Sequence, residues 1–347
     1  MRDESMSLKT TYKDKTILVT GGAGSIGSEL VRTLLDMDPK AVRVLDNNET
    51  GLFDLEQELR SEKIRSLVGD VRDRDRLKRA FEGVDVVFHA AALKHVPLCE
   101  FNPFDAVKTN VLGTQNVLDA AIDEGVARFI LISTDKAVNP TNVMGATKLL
   151  AERLTISANY YKGSRKTVLS CVRFGNVLGS RGSVVPLFKK QIANGEPITI
   201  TDPDMTRFIM DIPKAIKLIL KAAEIAKGGE IFILKMPVIQ ISDLAEAVAD
   251  ELSSSGCKVR NDVEVRIIGR RAGEKLYEEL MTDSEAVNAY ENDEFIVVIP
   301  SNMGPKKDEK SVPEGFIMAE SRIYSSKNER LLRKDEIISM LRELNLQ

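Results

Sequence analysis

Cysteine and histidine are scarce in this chain. Cys99, Cys171 and Cys257 stand far apart with no CxxC pair, and the only two histidines, His89 and His95, sit at no metal-ligand spacing. Neither a disulfide framework nor a zinc site is indicated, no metal is expected, and a reducing cytosol is the plain setting. Long apolar runs are missing too: none approaches the ~18 residues that a spanning helix needs, and the opening MRDESMSLKTTYKDK lacks the apolar core of a signal peptide. The chain is expected to be cytoplasmic, without membrane insertion. An excess of one charge is also absent. The formal net charge is −3, and the charged residues are mixed in sign rather than blocked, which offers nucleic acid no general attraction and suits a small-molecule enzyme better.

What is present is a chain of 347 residues, 43% hydrophobic, long enough to bury a sizeable core. From Thr16 onward, short β-branched runs (TILVT, AVRVLD, IRSLV, VDVVFHA, RFILIST, TVLSCVRF) alternate with amphipathic stretches such as SELVRTLLDM, TNVLGTQNVLDAAIDEG and GATKLLAERLTISANYY. Six strands alternating with helices predict an α/β fold, a Rossmann-type doubly wound parallel sheet with right-handed crossovers. The expected division is a dinucleotide-binding domain over 14–175, to which 206–236 returns, and a smaller discontinuous C-terminal substrate lobe over 176–205 and 237–305. A tail over 306–347 ends in the amphipathic stretch DEIISMLREL.

TGGAGSIGSEL lies directly between the first strand and the first helix and sets Gly21, Gly24 and Gly27 at three-residue steps. Glycine admits unusual φ values and lets backbone amides approach a pyrophosphate, and the helix N-terminus, opening at Ser25 and Ile26, adds unpaired donors and a favourable dipole. Asp46, at the end of the second strand, suits both ribose hydroxyls of NAD and would repel the extra phosphate of NADP. NAD is therefore the expected cofactor. Asp70, with Val71 beside it, is placed either at the adenine or as a helix cap, and Ala90 opens HAAALKH at the cofactor's middle. His89 ends an apolar strand and reads as a packed residue. Lys94, in a loop at the sheet edge, is a substrate candidate ahead of His95.

The stretch FILISTDKAVNPTNVMGATK gathers a strand, a Ser-Thr-Asp-Lys cluster, a proline-broken turn and a helix start within twenty residues. With the glycine loop, this strand-end STDK and the helix bearing Lys148 resemble the extended short-chain dehydrogenase/reductases. VFHAAALKHVPLCEFNPFDAVKTNVLGTQNV, RFGNVLGSRGSVVPLF and RAGEKLYEEL narrow the resemblance to the nucleotide-sugar 4,6-dehydratases of polysaccharide biosynthesis, the CapD-like group. It runs from about Lys15 to beyond Met281. It implies UDP-N-acetylglucosamine as substrate, transient oxidation at C4, loss of water between C5 and C6, and a homo-oligomer. Where most of the superfamily has tyrosine in a YxxxK pair this chain has Met144, four residues before Lys148, and the second strand ends LDNNE. Both departures resemble the C5-retaining branch.

The chemistry needs a base at C5 and an acid for the C6 hydroxyl, and the adjacent Asp135 and Lys136 are the natural acid and base, coupled through one exchangeable proton. For Lys136 to act as a neutral amine its pKa must fall. A second positive charge about 6 Å away at an effective dielectric of ~20 costs roughly 2.8 kcal/mol, about two units, and Lys148 with the oxidised nicotinamide is the expected source. Lys148 is expected on the nicotinamide ribose, and Met144 shapes an apolar wall or simply packs. Thr134, a water or Lys136 itself remain candidates for the C4 hydroxyl proton. Asn176, Arg181, Arg207, Arg271 and Glu274 are expected at the nucleotide diphosphate, sugar and ribose. Two rival readings stand beside the dehydratase: a UDP-sugar 4-epimerase, and a non-catalytic NAD-binding regulator.

Overall fold

The computed structural model describes residues 2–180, 182–254, 264–300, 312–320 and 322–343. The six expected strands form as β1 (Thr16–Thr20), β2 (Ala41–Asp46), β3 (Ile64–Val68), β4 (Val86–His89), β5 (Arg128–Ile132) and β6 (Val168–Arg173). All pair in parallel, in the order β3-β2-β1-β4-β5-β6. Every residue of β1 and β4 is buried, because helices cover both faces of the sheet, and this is why these segments read as continuous rather than alternating apolar runs. The order reverses between β1 and β4, so their carboxyl ends diverge and open a crevice.

Ile231–Leu234 adds a seventh parallel strand beside β6, and Phe295–Val298, Ala289–Glu291 and Ile317–Met318 extend the sheet in antiparallel sense to ten strands. The boundaries therefore differ from those expected. Residues 278–298, assigned from sequence to the substrate lobe, bury Leu280, Ala289, Phe295 and Val297 in the main core, and Tyr324 joins them from the supposed tail. A second core, built on Phe188, Ile198, Ile209, Leu244 and Val248, defines the smaller lobe, and it includes Ile337 and Leu341. The final helix, Lys334–Glu343, thus packs on the helix Ile241–Ser254 as part of that lobe. The short strands 289–291 and 295–298 lack a helical crossover between them and so carry no βαβ rhythm to mark them.

The segment expected as a plain helix around 109–125 begins earlier, at Pro103, and passes through a π-helical stretch at Val107–Gly113. The wider turn accommodates Asn110, whose buried amide accepts from Leu93 N at 2.8 Å and donates to Leu93 O and to Thr147 Oγ1, both at 3.0 Å. One side chain so ties the loop after β4 to the helix Val143–Tyr161, a use of π-turns common near functional sites.

Candidate active site

The loop after β1 is shaped by what its glycines lack. Gly21 has φ +69, and a Cβ there would lie 2.5 Å from Ala91 N; a Cβ on Gly27 would lie 2.2 Å from Gly21 O. These distances forbid any side chain and press the helix Ser25–Leu35 against the β1–β4 junction. Its N-cap, Gly24, offers no side-chain cap, so the first-turn amides face the crevice with the helix dipole behind them. Asp46 holds the loop, accepting from Ala23 N at 3.0 Å through Oδ2 and from Asn48 N at 2.9 Å through Oδ1. Asp70 pairs with Arg72 at 2.5 Å, which holds its carboxyl below the usual range, and the helix Arg74–Phe81 is capped by Asp73 instead. Gly21, Gly24, Ser25, Ile26, Gly27, Asp46, Asp70, Val71 and Ala90 all line one cleft of about 610 Å³.

Thr134, Lys136, Met144, Lys148, Lys94 and Asn176 line the same cleft. At the end of β5 the chain turns through a short 3₁₀ segment, Asp135–Ala137, in which Thr134 Oγ1 and Lys136 Nζ each donate to Asp135 Oδ1 at 2.9 Å. The Asp135 side chain is fully buried behind them and does not line the cleft. Lys136 Nζ lies 3.7 Å from a second buried carboxylate, that of Glu278. Burial by itself would depress the ammonium, yet Asp135 and Glu278 outweigh burial and the opposing Arg207, and the Lys136 pKa is raised. The sequence-based expectation of a depressed Lys136 is corrected here. Two carboxylates, one of them unanticipated, stand at 2.9 and 3.7 Å from its ammonium.

The depressed lysine is Lys148. Burial brings it down to about 8 against the opposing pull of Glu152, and its ammonium donates to Ile132 O at 2.6 Å. Glu152, one turn further along the helix, accepts from Ser133 Oγ at 2.5 Å and pairs with the buried Arg173 at 2.7 Å, which also reaches Glu285 at 3.1 Å. Met144 is almost wholly buried, packed with Cys99 and Ala106, with one edge on the cleft. His89 is packed as expected, between Thr20 Oγ1 at 2.6 Å and Thr114 Oγ1 at 3.0 Å, and burial lowers its pKa to about 3, so the imidazole stays neutral.

The nucleotide-end candidates divide. Asn176 sits in the cleft, and its buried Oδ1 has no hydrogen-bond partner among the described residues, as is also true of Ser183 Oγ nearby. Arg181 lies outside the described residues. Arg207 is not on the cleft wall: it donates to Thr206 O at 2.7 Å and Lys275 O at 2.9 Å. Glu274 accepts from Arg271 N at 3.1 Å, shaping a turn whose Gly273 carbonyl receives Thr141 Oγ1 at 2.9 Å and Asn142 Nδ2 at 3.1 Å. Arg271 and Glu274 therefore lie against the start of the Val143–Tyr161 helix rather than in the cleft. Sequence reasoning singled them out in RAGEKLYEEL and passed over Glu278, four residues further on. It also missed Gly145, where a Cβ would lie 2.2 Å from Lys136 O.

The donor set fits a dinucleotide: an uncapped helix N-terminus, a cradle that any Cβ would fill, and Asp46 at the strand end. Among the described residues no group of His, Cys, Asp or Glu is arranged for a metal ion. The sequence model described as polysaccharide biosynthesis protein matches residues 17–300. The chain belongs to that family. Within it, a protein of Methanocaldococcus jannaschii known as an uncharacterized membrane protein is 62% identical over 96% of this chain and 97% of its own. The inverting UDP-N-acetylglucosamine 4,6-dehydratase of Campylobacter jejuni is 43% identical over 84% of each chain, and a Rickettsia canadensis protein named UDP-glucose 4-epimerase is 38% identical over 96% of this chain and 97% of its own. The structure of Pen from Bacillus thuringiensis superposes with a TM-score of 0.89 at 44% identity, covering 97% of this chain and 99% of that one. The dTDP-glucose 4,6-dehydratase DesIV of Streptomyces venezuelae, solved with NAD bound, does so at 0.68 and 26%, over 75% and 86%. The chain thus has the Rossmann fold of the short-chain dehydrogenase/reductases that act on nucleotide sugars. No helix among its described residues is long and apolar enough to cross a membrane.

Proposed function

We propose that this protein is an NAD-dependent UDP-N-acetylglucosamine 4,6-dehydratase that retains the configuration at C5 and serves surface polysaccharide or glycan biosynthesis. The observation that carries this reading is the coupled pair at the end of β5, in which Lys136 faces the cleft and Asp135 stands buried directly behind it. A 4-epimerase needs no proton transfer at C5 and C6, so this pair favours dehydration over the activity for which the Rickettsia relative is named.

NAD, when bound, would supply the hydride acceptor that the C4 oxidation needs and the hydride donor that C6 needs. The first-turn amides of Ser25–Leu35 hold the pyrophosphate, Asp46 the adenine-side ribose, and Lys148 the nicotinamide ribose. Lys136 takes the C5 proton once C4 is a ketone and hands a proton to the C6 hydroxyl, which leaves as water, because Lys136 rather than the buried Asp135 is the member of the pair that lines the cleft. Thr134 and Lys136 are the members of this turn that can accept the C4 hydroxyl proton, since Asp135 is walled off. Retention follows from Met144: the position that carries tyrosine elsewhere holds no proton, so the proton goes back to C5 from the face that gave it up. Asn176, with its unpartnered Oδ1, receives the nucleotide sugar.

The reading includes a homo-oligomer. Phe101, Phe104 and Leu112 on one helical stretch and Leu150, Tyr160 and Tyr161 on the neighbouring helix are exposed, Phe101 by 85%, and apolar groups of this size gathered on adjoining helices support a buried contact between copies. The test of the activity is incubation with UDP-N-acetylglucosamine and NAD: loss of one water supports the dehydratase, unchanged mass with a new sugar signal supports the epimerase, and bound NAD without turnover supports the regulator.

A further inference from the structure

The segment 273–279 wraps around the turn after β5. Lys275 Nζ donates to Val138 O at 2.7 Å and Asn139 Nδ2 to Glu279 at 2.6 Å, while Ser326 clamps the Glu278 backbone from both sides, accepting from its N–H at 2.9 Å and donating to its carbonyl at 2.9 Å. The Glu278 side chain is thereby delivered, 4% exposed, to 3.7 Å from Lys136 Nζ. Arg207 Nε faces it at 3.9 Å, and Arg207 is in turn 3.9 Å from Glu274. The groups that bear on Glu278 are thus Lys136 and Asp135 from the turn after β5, Arg207 from the strand Thr206–Met210, and Lys275 from its own segment.

A structural ion-pair cluster hydrogen-bonds every buried oxygen, because each bare one costs on the order of 1–3 kcal/mol. Here two are left bare among the described residues, Asp135 Oδ2 and Glu278 Oε2, on the two carboxylates that flank one lysine. Glu278 does not line the cleft, so whatever it does to the sugar it does through Lys136.

We infer that Glu278 is a positioning residue that takes the ammonium proton of Lys136 and returns it, letting Lys136 alternate between acid and base. This rests on the dehydratase reading. In the transfer an Nζ–H bond of Lys136 breaks and an Oε–H bond forms on Glu278. The freed amine accepts the C5 proton and gives one to the C6 hydroxyl, which leaves as water, and the reverse transfer from Glu278 then restores the ammonium with no net change in charge. The 3.7 Å separation closes by rotation about the terminal bonds of the lysine. Burial raises the pKa of Glu278 despite Lys136 beside it, which suits a group that must hold a proton near neutrality.

Glu278→Gln removes the acceptor at constant shape. In ligand-free protein carrying isotope-labelled lysine, the NMR titration midpoint of Lys136 is expected to fall in Glu278→Gln, and an unmoved midpoint overturns the inference. In turnover, kcat is expected to fall on the order of 100-fold, with an altered pH profile and with KM and NAD affinity held; a wild-type kcat and profile overturn it. Glu278→Asp, which withdraws the carboxylate by one methylene, is expected to give a smaller displacement of the midpoint and to recover part of kcat. An undisplaced midpoint in that variant overturns the inference even if the Gln variant fails to fold. Glu279→Gln is the control expected to change neither readout. Failure of the dehydratase reading shows separately, as wild-type protein that releases no water, and the ligand-free titration then still decides whether Glu278 governs the Lys136 proton.

Discussion

Lys136 and Lys148 stand twelve positions apart in sequence and carry opposite electrostatic histories. Lys136, partly open to the cleft, stands between carboxylates and holds its proton more firmly than a free lysine; Lys148 is buried against a carbonyl with a carboxylate one turn away, and falls to about 8. The Lys148 shift has a consequence for stability. Its folded value lies below the unfolded 10.5, so between about 8 and 10.5 the unfolded chain binds the extra proton, stability climbs as pH rises through that window, and below about 8 the full cost is present. We expect the unfolding free energy of the wild type to rise on the order of 3 kcal/mol more across that window than that of Lys148→Met, measured by denaturant titration at stepped pH. Equal slopes would contradict the burial of this charge. Residue types and their adjacency were legible from sequence here: Lys136 and Lys148 line one cleft, with Asp135 buried against Lys136. The sign of the Lys136 shift was not, because it depends on Glu278, which is 142 positions away in the chain and leaves no local pattern.

Elements were legible to the extent that they obeyed one period. β1, β4, β5 and β6 announce themselves because strands covered on both faces are written as unbroken apolar runs, β2 and β3 because they alternate with helical stretches, and the glycine loop because its spacing has a steric cause. The π-turn at Val107–Gly113 stayed hidden, since only the tertiary partners of Asn110 distinguish it from ordinary helix, and the strands at 289–298 stayed hidden because they join the sheet without a crossover. The glycine loop gives the sharpest expectation at this scale. Gly27→Ala places a Cβ 2.2 Å from Gly21 O, so loop and helix must separate. NAD affinity is expected to fall on the order of 100-fold and stability by about 1–3 kcal/mol, read by calorimetric titration and thermal melts. Unchanged NAD binding would remove this loop from the cofactor site.

At the scale of the whole molecule, the main sheet carries the cleft, Asn176, Val177, Ser180 and Ser183 on the way into the smaller lobe line part of it, and the last helix is integral to that lobe. The exposed aromatic and aliphatic face on the 96–113 and 143–161 helices is expected to be buried between copies: light scattering should report an oligomer that Phe101→Glu with Leu112→Glu converts to monomer, and a monomeric wild type would refute that contact. The central claim is chemical. The most direct measurement is mass spectrometry and NMR of the product formed from UDP-N-acetylglucosamine in heavy water. The account expects loss of one water, one deuterium at C5 and the gluco-type configuration kept there. An unchanged sugar mass would contradict the dehydratase, and an inverted C5 would contradict the role assigned to Met144.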